Sequence, residues 1–168
     1  LLILSGVFGV LALMRPQWGF EFIATPRASA ELMVAVDVSR SMLAEDVVPN
    51  RLERAKAEVR DLLRFLEGDH VGLIAFAGRA SVLAPLTPDF GFFRLALDEL
   101  GPYSVTRGGT RLEEPIRKAV AGFRATGDTS RAILLITDGE DHDSFPLDAA
   151  REAGERGIAI IAIGLGSA

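Results

Sequence analysis

The sequence contains no cysteine. That absence removes disulfides, zinc–thiolate centres and thiol nucleophiles together, and it leaves the redox compartment open. Histidine is nearly as scarce: only His70 and His142 occur, and neither stands in a serine or cysteine arrangement that would make it a catalytic base. Positive charge is in deficit, with 18 Lys and Arg against 23 Asp and Glu, a net charge of −5 and a pI of about 5.1. A general attraction to nucleic-acid phosphates or anionic lipid therefore has no support, and no nucleic-acid partner is expected. Neither a P-loop nor a Gly-x-Ser-x-Gly motif is present, so neither phosphate cradling nor a nucleophile elbow can be read from the chain. Internal repeats and low-complexity tracts are lacking as well.

What is present is enough for one globular domain with an apolar core: 168 residues, 49% hydrophobic and 24% charged. The chain opens on an uncharged, mostly apolar run, Leu1 to Met14, closed by Arg15 and Pro16. A spanning helix needs roughly 20 such residues. With no initial methionine, the run reads as the remainder of a transmembrane helix over residues 1–17, a buried core helix being the alternative. Trp18 and Phe20 stand where an interfacial aromatic belt is expected. Residues 18–30 read as a linker or short edge strand. Arg15 alone would favour a cytoplasmic side.

From Glu31 onward, short apolar runs alternate with helical periodicity. Leu32 to Val36, Val71 to Ala77, Ile133 to Thr137 and Ile158 to Ile163 suit strands buried on both faces. Ala80 to Ala84, just beyond Gly78 and Arg79, predicts a hairpin and one short antiparallel edge strand. Asn50 with Glu53 predicts a capping box opening a helix that ends at Gly68. Thr87 and Pro88 predict the start of a second helix, carrying Phe92, Phe93, Leu95, Ala96 and Leu100. A third is expected from Arg111 to Phe123 and a fourth from Pro146 to Arg156. Pro115 would cost the third a hydrogen bond unless that helix starts late or kinks. The alternation predicts an α/β fold, a doubly wound, Rossmann-like and mostly parallel sheet with helices on both faces. Ligands in such sheets bind beyond the carboxyl ends of the strands.

Two strands run into an aspartate there. In Asp37-Val38-Ser39-Arg40-Ser41, an extended turn would present one carboxylate and two hydroxyls to the same side. Thr110, after Gly108 and Gly109, offers a third hydroxyl, and Asp138 in Thr137-Asp138-Gly139 a second carboxylate. All five are hard oxygen donors, few of them charged, which suits Mg²⁺, with Mn²⁺ as the other candidate, and leaves a position for water or a partner's carboxylate. Singly, each has an ordinary reading: aspartates closing strand ends, Ser39 or Ser41 capping a helix, Thr110 forming a capping box with Glu113. Jointly, five donors at three strand ends favour the metal site. The acidic run Glu140, Asp141, His142 and Asp143 reads as a solvated loop rather than a second metal site. Gly164-x-Gly166 is too short a fragment of a dinucleotide fingerprint to carry weight.

The three motifs, in this order and spacing from Glu31 to the end of the chain, resemble the metal-ion-dependent adhesion site of von Willebrand factor A (VWA) domains. That resemblance implies direct ion contacts for Ser39, Ser41 and Thr110, and often water-mediated ones for Asp37 and Asp138. The run Asp37 to Lys56, with Ser41-Met42-Leu43-Ala44-Glu45-Asp46 and Pro49-Asn50-Arg51-Leu52-Glu53-Arg54-Ala55-Lys56, is similar to the bacterial aerotolerance-type (Bat) membrane VWA proteins. It implies membrane helices flanking the domain, a further helix and strand after it, a periplasmic placement at the bacterial inner membrane, and assembly with a MoxR-type AAA+ ATPase and other membrane VWA proteins. On this reading the bound ion engages an acidic residue of a partner, and the protein is not an enzyme. The rival reading is Mg²⁺-dependent phosphoryl transfer with Asp37 as nucleophile. It lacks the second acid that haloacid dehalogenase-type phosphatases carry two residues later, where Ser39 stands. Arg40, Glu45 and Asp46 flank the motif and are candidates for shaping partner choice, a solvated loop face being an equal reading.

Overall fold

A computed structural model describes residues 29–66, 68–105, 109–124, 129–139 and 144–166. The expected tether over residues 1–17, most of the linker, Gly108, the acidic run from Glu140 to Asp143 and the last two residues lie outside the described residues. Among those described, no helix is long and apolar enough to cross a membrane.

Five strands form one sheet: β1 (Glu31–Asp37), β2 (His70–Phe76), β3 (Ala80–Thr87), β4 (Arg131–Thr137) and β5 (Ile158–Gly164), in the order β3-β2-β1-β4-β5. All pairings are parallel except β2 with β3. The antiparallel edge strand is longer than Ala80 to Ala84 suggested. It runs through Pro85, because an edge strand has no ladder partner on its outer side and tolerates a missing N–H. The chain builds β2 and β3 on one side of β1 and then crosses to β4 on the other. The topological switch therefore lies between β1 and β4, which pair from Glu31↔Arg131 to Val36↔Ile136.

Among the described residues, four α-helices cover the sheet: α1 (Arg51–Leu62), α2 (Phe90–Asp98), α3 (Glu113–Gly122) and α4 (Pro146–Glu155). Strand periodicity divides the core in two. Leu32, Val34 and Val36 of β1 pack with Leu52, Ala55 and Val59 of α1 and Phe93 and Leu97 of α2. Met33 and Ala35 join Ile116, Ala119 and Val120 of α3 and Ala149 and Ala153 of α4. Every residue of β1 is buried, as expected of a central strand with helices on both faces.

Helix starts are where local signals and structure part. The Asn50 side chain accepts from Glu53 N at 2.8 Å, but the Glu53 carboxylate bonds Lys56 Nζ at 2.9 Å rather than closing a capping box. The second helix starts two residues later than Thr87 and Pro88 implied: Asp89 is the cap, accepting from Gly91 N and Phe92 N. Its buried stripe is Phe93, Leu97 and Leu100, with Phe92 and Leu95 exposed. The third helix begins at Glu113, so Pro115 falls in its first turn, where no intrahelical donor is lost.

Candidate metal centre

β1 delivers Asp37 fully buried at the switch point. The chain keeps one more bond to β2, Val38 N to Phe76 O at 2.8 Å, and then turns. Asp37 Oδ1 accepts from Ser39 N at 2.8 Å. The next residues form a 3-10 turn, Arg40–Leu43, pinned by buried Met42, rather than the extended turn expected. That turn still brings the two serine hydroxyls onto one side, with Oγ to Oγ at 2.9 Å. Ser39 stands at the cap position of this turn, but its side chain makes no capping bond. The ordinary reading of that residue therefore fails.

Across the crevice, the Thr137 hydroxyl donates to Asp37 Oδ2 at 2.8 Å and accepts from Gly139 N at 3.2 Å. Both oxygens of Asp37 are thus engaged by the protein. Burial holds the Asp37 carboxyl above its ordinary range. The Ser39 and Thr137 hydrogen bonds pull it partly back, and the negative charge of Asp138 pushes it up again.

Asp138 follows β4 with its side chain fully buried. Its Oδ2 accepts from Arg51 Nη1 at 3.1 Å, and its Oδ1 is buried with no hydrogen-bond partner among the described residues. Gly139 then takes a left-handed φ of 87°, a turn that needs glycine. Thr110 is buried and is held at the same end of the sheet by Arg111 N bonding Ala77 O, just past β2, at 2.9 Å. It does not cap α3, whose cap is Leu112.

The structure thus places all five predicted residues at neighbouring strand ends and joins Asp37, Ser39 and Ser41 directly. The donor chemistry fits a hard divalent cation: two carboxylates and three hydroxyls, an orphaned buried carboxylate oxygen, and a buried acid whose charge lacks full compensation. Among the described residues no group of three or more His, Cys, Asp or Glu converges, so the set depends on its hydroxyls.

Two contributors were not read from the sequence. Thr137 looked like the last residue of a strand, and only the β1–β4 register turns its hydroxyl onto Asp37. Arg51 was part of a motif without a role. Its guanidinium forks onto Asp46 at 2.8 Å through both Nε and Nη2 and reaches Asp138 with its third nitrogen. Asp46, one of the three candidates for shaping partner choice, holds this arginine. A signal existed: a cation at the first position of a helix opposes the macrodipole, so something else must hold it there. The loop bearing Asp46 also contains a cis Val48–Pro49 peptide bond.

The family profile described as von Willebrand factor type A domain matches residues 32–140. A UPF0353 protein of Mycolicibacterium paratuberculosis is 34% identical over 176 residues, covering 98% of this chain and 52% of that protein. The chain spans about half the length of the curated relatives it matches. Among solved structures, BatB from Bacteroides thetaiotaomicron superposes with a TM-score of 0.80 at 39% identity, covering 82% of this chain and 67% of that one. An aerotolerance-related membrane protein from Bacteroides fragilis gives 0.78 at 38% identity, covering 82% and 68%. The fold alone is shared with proximal thread matrix protein 1 of the mussel byssus, whose MIDAS motif holds zinc in that structure, at a TM-score of 0.73 and 22% identity over 83% and 36%.

Proposed function

This chain belongs to the von Willebrand factor type A domain family, and from that premise we propose that it is a metal-dependent protein-interaction module rather than an enzyme. The ion, Mg²⁺ or Mn²⁺, is held by the hydroxyls of Ser39, Ser41 and Thr110, with Asp37 and Asp138 acting directly or through water. An acidic side chain of a partner protein completes the coordination. The observation that carries this reading is Asp138 Oδ1, buried without a partner at the same strand ends as the Ser39–Ser41 hydroxyl pair. An unpaired buried carboxylate oxygen is costly, and a cation is the ligand that removes the cost.

In this mechanism the protein's own groups do three things. Thr137 and Ser39 N fix Asp37 so that its charge faces the crevice without swinging into it. The 3-10 turn at Arg40–Leu43 presents two neutral oxygens side by side. Asp37 and the Asp138 side chain are buried, which strengthens their pull on a cation. A bound divalent ion supplies the positive charge that a partner's carboxylate can reach.

The likeness to Bat-type membrane proteins supports placing this module at the bacterial inner membrane. There it would be tethered by the segment at residues 1–17, with the domain on the periplasmic side. Assembly with a MoxR-type AAA+ ATPase and other membrane VWA proteins is part of the same proposal.

Calorimetric titration of Mg²⁺ and Mn²⁺ into the purified protein, beside the Ser39→Ala/Ser41→Ala double variant, tests the site. One-site binding that disappears in the folded variant is expected. No binding by folded wild-type protein would overturn the metal mechanism.

A further inference from the structure

Arg51 is held far more tightly than a surface arginine. Its guanidinium makes the two-pronged fork to Asp46 and a third bond to Asp138. Its backbone N–H donates to Ala44 O at 3.2 Å. A Cβ placed on Gly166 would come within 3.4 Å of Nη2 and 3.5 Å of Cζ, so the turn after β5 walls it in. Only about a fifth of its side chain is exposed, 19%, while the Asp138 side chain is fully buried at 0%. The helix does not ask for this charge, since the first position of α1 is the positive end of its dipole.

The consequence lies in how Asp138 is divided. One oxygen is committed to a cation of the protein, and the other is buried and unpartnered. We infer that Arg51 is the resident counter-charge of the metal site: it compensates Asp138 while the ion is absent and repels the ion when it arrives, so the free domain binds metal weakly. This rests on the metal reading above and adds a regulation to it. A site kept weak by its own arginine is filled strongly only when a partner's carboxylate adds negative charge, which couples ion and partner. Asp46 belongs to the same device, because its fork cancels part of the arginine's charge and sets how strongly the ion is repelled.

The test compares wild type with Arg51→Gln, Arg51→Lys and Asp46→Asn, reading Mg²⁺ and Mn²⁺ dissociation constants by calorimetry and melting temperature in chelator. Folding of each is verified by circular dichroism. Arg51→Gln keeps a donor near Asp138 but removes the charge, and it should bind the ion on the order of tenfold more tightly while melting lower without metal. Arg51→Lys keeps the charge and should stay within about threefold of wild type. Asp46→Asn leaves Arg51 less compensated and should weaken ion binding several-fold. Equal or weaker binding by folded Arg51→Gln, or tighter binding by Asp46→Asn, with wild type still binding, overturns the counter-charge role alone. Should Arg51→Gln fail to fold, Arg51→Met, which also removes the charge, decides: folded protein binding the ion no more tightly than wild type overturns the role. No binding by any variant or by wild type overturns the metal reading, and this inference with it.

Discussion

Thr137→Val is the sharpest probe of the crevice, because valine keeps the shape and β-branching of threonine and removes only the hydroxyl. That hydroxyl donates to Asp37 Oδ2 at 2.8 Å and accepts from Gly139 N at 3.2 Å, and both it and its acceptor are buried. A hydrogen bond to a charged group contributes about 1.5–3 kcal/mol and a neutral one about 0.5–1.5 kcal/mol. A loss of about 2–4 kcal/mol is therefore expected at neutral pH, against a total stability typically about 5–15 kcal/mol. Urea unfolding in chelator measures it. The pH dependence adds a second signature. Burial raises the folded-state pKa of Asp37 above the ordinary carboxylate range. The folded protein therefore holds this proton more tightly than the unfolded chain. Stability from this group is greatest below the unfolded pKa and falls as pH climbs to the folded one. Valine removes an interaction that favours the carboxylate and raises the folded pKa further. The penalty should therefore be smaller in acid, where Asp37 is protonated in both states and mainly the Gly139 N bond is lost, and reach its full size at neutral pH. Thr137→Ser, which keeps the hydroxyl, should cost only about 1 kcal/mol for the lost methyl. A Thr137→Val loss within about 0.5 kcal/mol of wild type at neutral pH would refute the reasoning.

Gly139→Ala should cost about 1–2 kcal/mol in thermal melts, from the left-handed φ of 87° alone, since nothing lies within 4 Å of the added Cβ; no loss would mean the turn relaxes. Neighbouring phenylalanines of α2 should behave oppositely: Phe93→Ala, in the fully buried core, should lose about 3–5 kcal/mol. Phe92→Ala, 44% exposed, should lose under about 1 kcal/mol, and equal losses in urea would contradict the helix's orientation.

The alternation of apolar runs and helical stripes determined the layered α/β fold, because a period of two and a period of 3.6 are properties of the local chain. It also determined the candidate donors. Asp-x-Ser-x-Ser and Thr-Asp-Gly each sit at the end of a strand, legible where an apolar run meets polar residues, whereas Thr110 was marked only by the two glycines before it. Boundaries were less secure where two local signals competed. Thr87-Pro88 and Asp89 are both helix starts, and strand pairing through Thr87 decided for the aspartate.

The links across the crevice were beyond sequence. Thr137 meets Asp37 a hundred residues away only because β4 pairs beside β1 in that register, and Arg51 meets Asp138 only because α1 begins over the same strand ends. The orphaned oxygen of Asp138 likewise has no sequence signature, since whether a carboxylate is satisfied depends on every neighbour that packs around it. Local chemistry was therefore written in the chain. Which charges face each other, and which are left uncompensated, was settled by strand order and register, because those are long-range contacts that no local pattern encodes.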